Sequence, residues 1–175
     1  DARTGTSVHS YVLMSNHYHF RRETPEPNLA AGMQWFQGTY TQRFNARHRL
    51  SGHLFQGRYK AIPVEAERPE YFRLASQYIH LNPARAGLLD AAKPNLSGYR
   101  WSNFPRIVEK GSLPGWLRRR RVFSTLELPD EGAGSRRRCR KWMDRKVVES
   151  LQPDVATAKN ESWAELQRGW YLGSD

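Results

Sequence analysis

The chain has 175 residues, of which 38% are hydrophobic and 12% aromatic. This length suits one domain with a small appendage, and the composition can build a core, which excludes a disordered chain. No apolar run approaches the roughly 20 residues of a membrane span, and the polar first ten residues predict no signal peptide. The net charge of +11 favours a nucleic-acid partner, with a basic surface kept for solubility as the alternative.

Two further features bear on the setting of the protein. The single cysteine, Cys139, cannot form an internal disulfide, which fits a reducing compartment such as the cytoplasm. Its cationic neighbours belong to a longer basic run, so we expect no catalytic role for this thiol. The sequence begins with Asp1 rather than Met, which predicts a fragment.

The stretch "EKGSLPGW", residues 109–116, contains two Gly, one Pro and one Ser and is typical of a linker. We therefore predict a first domain over residues 1–110 and a basic, helical region over residues 111–175. The first domain alternates strand and helix patterns. That order predicts an α+β fold, an α/β sandwich with helices over an antiparallel or mixed sheet.

The first domain opens with "HSYVLMSNHYHF", residues 9–20, which is apolar on both faces near its middle. This pattern predicts one central strand, covered on one face and lined by a site on the other. Asn28 is then the predicted N-cap of a helix over residues 29–48, because apolar and aromatic residues recur there at helical spacing.

Residues 53–65, "HLFQGRYKAIPVE", predict a second strand, with Gly57 as a bulge. The next helix is predicted to start at Pro69, a favourable first helical position. It is expected to end at or near Asn82, because the residue before a proline is disfavoured in the α region.

The region after the linker carries two basic runs. The first is "RRRR", residues 118–121, and the second lies in residues 135–151, which predict a helix with Ser135 as its N-cap. Residues 161–172 predict another short amphipathic helix.

Two histidines stand one residue apart in the first strand pattern. Side chains at i and i+2 of a strand point to the same face, so His17 and His19 could hold one metal ion between them. A His-x-His pair is a weak signal by itself, and a structural or chance pair remains the alternative.

The second predicted helix carries a tyrosine and an asparagine on one face. Tyr78 and Asn82 are four residues apart, which places them one turn apart. A tyrosine hydroxyl is a poor nucleophile unless it is activated, and a divalent metal that polarises the bond under attack could compensate. The Asn82 carbonyl is an acceptable hard ligand. The alternative is a half-buried core tyrosine with an asparagine that stops the helix.

Three stretches, "MSNHYHF", "GHLFQGRYKA" and "YIHLNPARAGL", occur in this order along the chain. Together they resemble the HUH single-tyrosine transposases, closest to the branch associated with bacterial repetitive extragenic palindromes. The stretch "NLAAGMQWFQGTYTQRFN" is similar to the helix that this family places between the motifs. The resemblance covers residues 10–104, and more loosely the C-terminal "ESWAELQRGWYLG".

The resemblance implies roles for four residues. His17 and His19 are the implied metal ligands, Asn82 the third protein ligand and Tyr78 the nucleophile. Tyr71, on the same helix, is a second candidate by geometry but does not match the motif position. The implied fold is a ferredoxin-like antiparallel sheet, with the histidine pair on a central strand and the tyrosine on a facing helix.

The chain departs from the family pattern at three points. Tyr18 stands where the middle motif position is usually aliphatic. Arg21 and Arg22 follow, where the family keeps an apolar strand, which puts the continuation of the strand in doubt. The family's first strand and helix precede this point and are missing, so we expect the sheet to have an exposed edge.

The implied reaction is metal-dependent cleavage and joining of single-stranded DNA through a covalent 5′-phosphotyrosine, on hairpin palindromes, by a nucleoid-associated enzyme. A His₂Asn site favours Mg²⁺ or Mn²⁺, and no small-molecule organic cofactor is expected. Two alternatives stay open: a DNA-binding module without cleavage, and a metal-dependent phosphodiesterase that uses water. Monomer and dimer are both compatible with the family.

Basic residues near the motifs are the predicted phosphate contacts. The first choices, two residues apart on the predicted second strand, are Arg58 and Lys60. The second choices lie in the basic runs: Arg118, Arg119, Arg120, Arg121, Arg136, Arg137 and Arg138. For Trp35 and Trp101 a core role is favoured over stacking on unpaired bases.

Overall fold

The computed structural model describes residues 5–65, 68–90 and 95–151. These residues form a mixed α+β structure with one two-stranded antiparallel sheet and five α-helices. In chain order the elements are β1 (Ser7–Leu13), β2 (Tyr18–Glu23), α1 (Leu29–His48), α2 (Pro69–Arg85), α3 (Phe104–Val108), α4 (Arg120–Ser124) and α5 (Ala133–Ser150). A search of the described helices finds none long and apolar enough to cross a membrane.

The described residues divide into two compact units. One comprises residues 5–6 and 24–61, and the other comprises residues 7–23 together with the described part of residues 62–151. The second unit contains β1, β2 and α2–α5 and runs through residues 109–116. The predicted division of the chain at residue 110 stays a prediction.

The stretch predicted as one central strand is instead a β-hairpin. β1 and β2 pair antiparallel, and the Met14 N–H donates to the His17 carbonyl over 2.8 Å at the bend of the hairpin. Ser15 and Asn16, which are exposed, make the bend, and both residue types favour turns because their side chains satisfy nearby backbone groups. His17 therefore immediately precedes β2.

β2 continues past the histidines through both arginines to Glu23, so the doubt about the strand's continuation is removed. Arg21 is accommodated because its guanidinium packs over the ring of Phe72, with the guanidinium carbon 3.7 Å from the ring centroid. Burial lowers the pKa of Arg21 to about 10. Arg21 lies on the same face of β2 as His19, because His19 precedes it in the strand by two residues.

The outer edge of β1 is covered, so the exposed edge predicted for the sheet does not lie on this strand. The Val8 N–H donates to the Trp116 carbonyl, and the Val8 carbonyl accepts from the Arg118 N–H, each over 2.8 Å. Further along, the Leu13 N–H donates to the Trp101 carbonyl over 2.8 Å. Two loop segments thus take the place of a neighbouring strand and satisfy this edge.

Asn103 fixes one of these segments to β1. Its Oδ1 accepts from the Tyr11 N–H over 2.6 Å and lies 3.1 Å from His80 Nε2, and its Nδ2 donates to the His9 carbonyl over 3.0 Å. Burial lowers the pKa of His80 to about 4, so this imidazole is neutral and donates to Asn103. The buried side chain therefore ties α2, β1 and the loop together.

α2 starts at Pro69, as predicted, but does not end at Asn82. It runs through Pro83 to Arg85. The last turn carries Leu81, Pro83 and Ala84, all buried, so their packing in the core outweighs the local cost of a proline inside a helix.

The core of the second unit lies among α2, α3, α4 and α5. Its buried members are Phe72, Leu81, Ala84, Leu96, Phe104, Ile107, Val108, Val122, Phe123, Cys139, Met143 and Val147. Burial raises the pKa of the Cys139 thiol to about 12, which makes it a poor nucleophile and agrees with a structural position.

In the first unit, α1 has the predicted bounds, and Asn28 occupies the predicted N-cap position. The rings of Phe36, Tyr40 and Phe44 stack along one side, with centroids 6.5 Å and 6.1 Å apart. This spacing of four residues is the apolar stripe that the sequence indicates.

The second strand predicted over residues 53–65 is wrong. The structure assigns no strand to residues 53–63, and Val64 makes only an isolated bridge. Gly52 and Gly57 adopt positive φ angles of 95° and 71°, which turn the chain instead of extending it. Arg58 and Lys60 therefore lie in an irregular segment and do not share a strand face.

α5 confirms the predicted helix but begins at Ala133, with Gly132 at the N-cap position. Ser135 is not the N-cap. It lies inside the helix, is buried, and donates from Oγ to Asp130 Oδ1 over 2.7 Å. The helix predicted over residues 161–172 lies outside the described residues.

Candidate metal and nucleophile site

His17 and His19 are in contact near the bend of the hairpin. Their ring centroids are 5.1 Å apart and the rings are nearly perpendicular, at 87°. His17 is exposed, and its Nδ1 lies 2.7 Å from Asn16 Oδ1. An amide oxygen only accepts, so His17 Nδ1 donates this bond, and Nε2 is the ring nitrogen that is left to act as a metal ligand.

His19 is less accessible. Burial, with a smaller effect from neighbouring His17, lowers the pKa of His19 to about 4. The imidazole is therefore neutral at pH 7, which is the form that binds metals. His19 thus presents its ring in the protonation state that a metal ligand requires.

Tyr78 lies directly beside this pair. Its ring meets the ring of His19 edge to face, with centroids 5.4 Å apart and an interplanar angle of 83°. The hairpin and α2 therefore bring the two sequence motifs together. Tyr71, the second candidate, is half-buried two turns earlier on α2.

Asn82 is half-buried one turn after Tyr78, and its Nδ2 donates to the Tyr78 carbonyl over 3.0 Å. This bond orients the amide and leaves Oδ1 as the group that can act as a ligand. Among the described residues, no group of three or more His, Cys, Asp or Glu side chains could hold a metal. The contacts on the described residues bring His17, His19 and Tyr78 together, and Asn82 lies one turn further along α2.

Arg85 is a neighbour of this cluster that the sequence did not single out. Its guanidinium carbon lies 5.1 Å from the centroid of the Tyr78 ring. Burial lowers the pKa of Arg85. The signal in the sequence was its spacing, seven residues after Tyr78, which is two helical turns.

The predicted phosphate contacts differ in their exposure. Arg118, Arg120, Arg137 and Arg138 are exposed, and Arg136 is half-buried. Arg58 and Lys60 are also exposed, in the other compact unit.

Arg119 is withdrawn from the predicted DNA-binding set. It is 7% exposed and pairs with Glu131 over 2.9 Å. Its guanidinium also donates to backbone carbonyls of the preceding segment: Arg106, Ile107, Glu109 and Gly111. A guanidinium that is buried and held by these groups is not presented to DNA.

Arg121, the last member of the first basic run, is half-buried. It pairs with Glu23 over 3.3 Å, and its guanidinium carbon lies 4.9 Å from the Phe72 ring centroid. These contacts hold it against the base of the hairpin.

The core role favoured for two tryptophans is wrong. Trp35 is 44% exposed and Trp101 is 52% exposed. Arg100 packs over the Trp101 ring, with its guanidinium carbon 4.8 Å from the ring centroid. Neither ring is therefore part of the buried core.

Comparison of the chain with protein-family models, with curated proteins and with solved structures finds no match in any of the three.

Proposed function

We propose that this protein is a metal-dependent single-stranded DNA endonuclease and strand transferase of the HUH single-tyrosine type. In this proposal the hairpin and α2 belong to a ferredoxin-like core, and the substrates are hairpin palindromes with flanking single strand. The proposal rests on the sequence resemblance together with one structural observation, which is the contact of the His17–His19 pair with Tyr78.

That contact supports the proposal because it joins two signals that were weak separately. A His-x-His pair alone could be structural, and a tyrosine alone could be a core residue. The edge-to-face approach of His19 and Tyr78, at 5.4 Å between centroids, sets a nucleophile beside two imidazoles in a basic protein of net charge +11. Such a combination suits attack on a phosphodiester.

The side chains present fit a divalent cation. The Asn16 bond occupies Nδ1 of His17 and leaves Nε2 as its ligand atom, and His19 is neutral because burial lowers its pKa to about 4. With Asn82 these residues would hold Mg²⁺ or Mn²⁺, which supplies charge neutralisation at the scissile phosphate when bound. The ligand set is uncharged, so we expect weak binding that the phosphate of the substrate completes.

In the proposed reaction, the Tyr78 oxygen forms a bond to phosphorus while the bond from phosphorus to the 3′ oxygen breaks. The tyrosine proton passes to solvent, and the departing 3′ oxygen takes up a proton. The products are a 5′-phosphotyrosine on the protein and a free 3′ hydroxyl. Because the phosphodiester character is retained in the covalent link, a second 3′ hydroxyl can reverse the step and join strands without ATP.

The test is the covalent adduct. The protein is incubated with end-labelled hairpin DNA carrying single-stranded flanks, with Mn²⁺ or with a chelator, and the products are separated under denaturing conditions. We expect a labelled, denaturation-resistant band with Mn²⁺ only. Tyr78→Phe should abolish it, because the nucleophilic oxygen is gone, and Tyr71→Phe should form it at the wild-type rate as the matched control.

Other outcomes separate the alternatives. An adduct that persists in Tyr78→Phe means that another residue is the nucleophile. Metal-dependent cleavage without an adduct supports a phosphodiesterase that uses water. Binding that weakens steeply with salt, with neither cleavage nor adduct, supports a DNA-binding module.

A further inference from the structure

We propose that Arg85 binds a non-bridging oxygen of the phosphodiester that Tyr78 attacks and is a catalytic residue of the reaction, an inference that rests on the proposed function. The first support is position. Arg85 is the last residue of α2, two turns beyond Tyr78 and on the same side of the helix, with its guanidinium carbon 5.1 Å from the Tyr78 ring centroid. A phosphate at the tyrosine hydroxyl lies within reach of such a long side chain.

The second support is an unused donor. Arg85 Nη1 is buried, and within residues 5–65, 68–90 and 95–151 it has no hydrogen-bond partner. A guanidinium stays charged and carries five N–H donors, and leaving one of its nitrogens buried without an acceptor is costly to the fold. Proteins hold such a group where a ligand supplies the missing acceptor.

A purely structural account explains only part of this arrangement. A cation in the last turn of a helix interacts favourably with the helix dipole, and a guanidinium near a tyrosine ring gains from the ring quadrupole. Both effects account for the positive charge. Neither provides an oxygen for the buried Nη1 donor of Arg85.

Arg119 shows what a structural buried arginine looks like in this same protein. It lies in an ion pair with Glu131 at 2.9 Å and donates to backbone carbonyls, the nearest of which is Gly111 at 2.6 Å. Most of its donors are used inside the fold, and its Nε has the ion-pair contact with Glu131. Within the described part of the chain, Arg119 and Arg21 also keep a buried nitrogen without a hydrogen-bond partner, so what distinguishes Arg85 is that its unused donor belongs to a guanidinium beside the Tyr78 ring.

The chemistry of a phosphodiester suits this role. Its negative charge is shared by two non-bridging oxygens, and the planar guanidinium fork matches that geometry. Donors fixed before the reaction stabilise the charge that develops on these oxygens in the transition state. Arg85 would therefore act directly on the reacting group.

The first arm of the test measures the rate of adduct formation. Arg85→Ala should slow it about 100-fold, the effect of removing one fixed donor in an active site. Arg85→Lys should restore part of the rate, because it keeps the charge but loses the fork. Arg140→Ala, which removes a charge from an exposed position on α5, is the matched control and should keep the wild-type rate.

The second arm locates the contact without relying on activity. In the Tyr78→Phe background, affinity is measured for hairpin DNAs in which each flanking phosphate in turn is a neutral methylphosphonate. One position should weaken binding strongly when Arg85 is present and have no effect in the Arg85→Ala protein. Thermal unfolding of each variant establishes that it is folded, and Arg85→Gln, which keeps side-chain volume, replaces Ala if that variant is not.

The two arms separate the two proposals. A wild-type rate in Arg85→Ala, with the adduct still lost in Tyr78→Phe, overturns the role of Arg85 and leaves the proposed function intact. An absent wild-type adduct overturns the proposed function. In that case an identical methylphosphonate profile with and without Arg85 overturns the phosphate contact as well, whereas a different profile supports the contact.

Discussion

Both ends of the β-hairpin set an imidazole edge-on against an aromatic ring of α2. At the base, His9 meets Phe72 with centroids 5.2 Å apart, at 77°, and near the bend His19 meets Tyr78 at 5.4 Å and 83°. The two arrangements share the same strand pair and the same helix. What differs is how the polar atoms around each ring are satisfied.

At the base, the side chains of His9, Glu23 and Arg121 pair with one another, and the second ring nitrogen of His9, Nδ1, is buried without a hydrogen-bond partner among the described residues. His9 Nε2 donates to Glu23 Oε2 over 2.9 Å, and Arg121 pairs with the same carboxylate over 3.3 Å. We call this set of three residues the closed end. The ionised Glu23 carboxylate neutralises the charge of Arg121 and accepts the hydrogen bond from His9. Such mutual pairing is typical of a structural role.

Near the bend, the partner of His17 is the amide of Asn16, and the neighbour of His19 is a tyrosine. We call the set of His17, His19 and Tyr78 the open end. In these contacts the imidazoles meet an amide and a phenol ring, and neither contact involves a carboxylate. The difference teaches that an edge-to-face imidazole is not itself a functional signal, whereas the way its nitrogens are satisfied is informative.

The largest expected effect comes from removing the open-end imidazoles. His17→Ala or His19→Ala should slow adduct formation at least about 1,000-fold, because metal assistance to phosphodiester cleavage is worth several kcal/mol. Hairpin affinity, measured by filter binding, should change little, since phosphate contacts elsewhere dominate it. His53→Ala, an exposed imidazole in the other unit, is the control. A large loss of affinity in either open-end variant would mean that the histidines are structural.

A second prediction concerns the buried network next to the closed end. Asn103→Ala should lower the free energy of unfolding by about 3 kcal/mol, because it leaves buried groups on Tyr11, His80 and His9 without partners. Urea unfolding measures the loss. A change below about 1 kcal/mol would mean that water or a rearrangement replaces these bonds.

The matched substitution at the open end should have the opposite profile. Asn16→Ala removes the acceptor that fixes the tautomer of His17, and we expect about a 10-fold slower adduct formation with Mn²⁺. Stability should stay within about 0.5 kcal/mol of the wild type, because Asn16 is exposed. Equal losses of stability in Asn16→Ala and Asn103→Ala would contradict the view that the polar contacts near the bend serve function and those near the base serve stability.

The sequence predicted elements best where one local pattern dominates. α1 has the predicted bounds because its aromatic residues recur at four-residue spacing after Asn28. The hairpin was missed because Ser15 and Asn16 interrupt an apolar run by only two residues. α2 passes Pro83 because the core packing of that turn outweighs a local preference, and packing cannot be read from the neighbouring residues.

The same limit applies to the site. The order of the motifs along the chain was enough to single out His17, His19 and Tyr78 as a group. The sequence could not show that Arg119 is buried against Glu131. In the sequence, the basic run and this glutamate both resemble ordinary surface charges. Arg85 was passed over for the converse reason, since its missing acceptor is visible only when the packing around α2 is known.

The smallest expected effect concerns the pH dependence of stability, and it tests the closed end. Burial lowers the pKa of His9 below its ordinary value of 6.5, although Glu23 opposes this. Below pH 6.5 the unfolded chain therefore binds more protons at His9 than the folded chain does, and stability decreases as the pH falls through this window. The pKa of Glu23 is lowered as well, chiefly by its bond to His9, so its contribution is lost at still lower pH.

Two substitutions should change this acid loss in opposite directions. His9→Gln removes the imidazole, so the difference in urea midpoint between pH 7 and pH 5 should become smaller than in the wild type. Glu23→Gln removes the carboxylate that raises the pKa of His9, so the folded imidazole resists protonation further and the difference should become larger. If both variants shift the midpoint difference in the same direction, His9 and Glu23 do not influence each other's protonation as their hydrogen bond indicates.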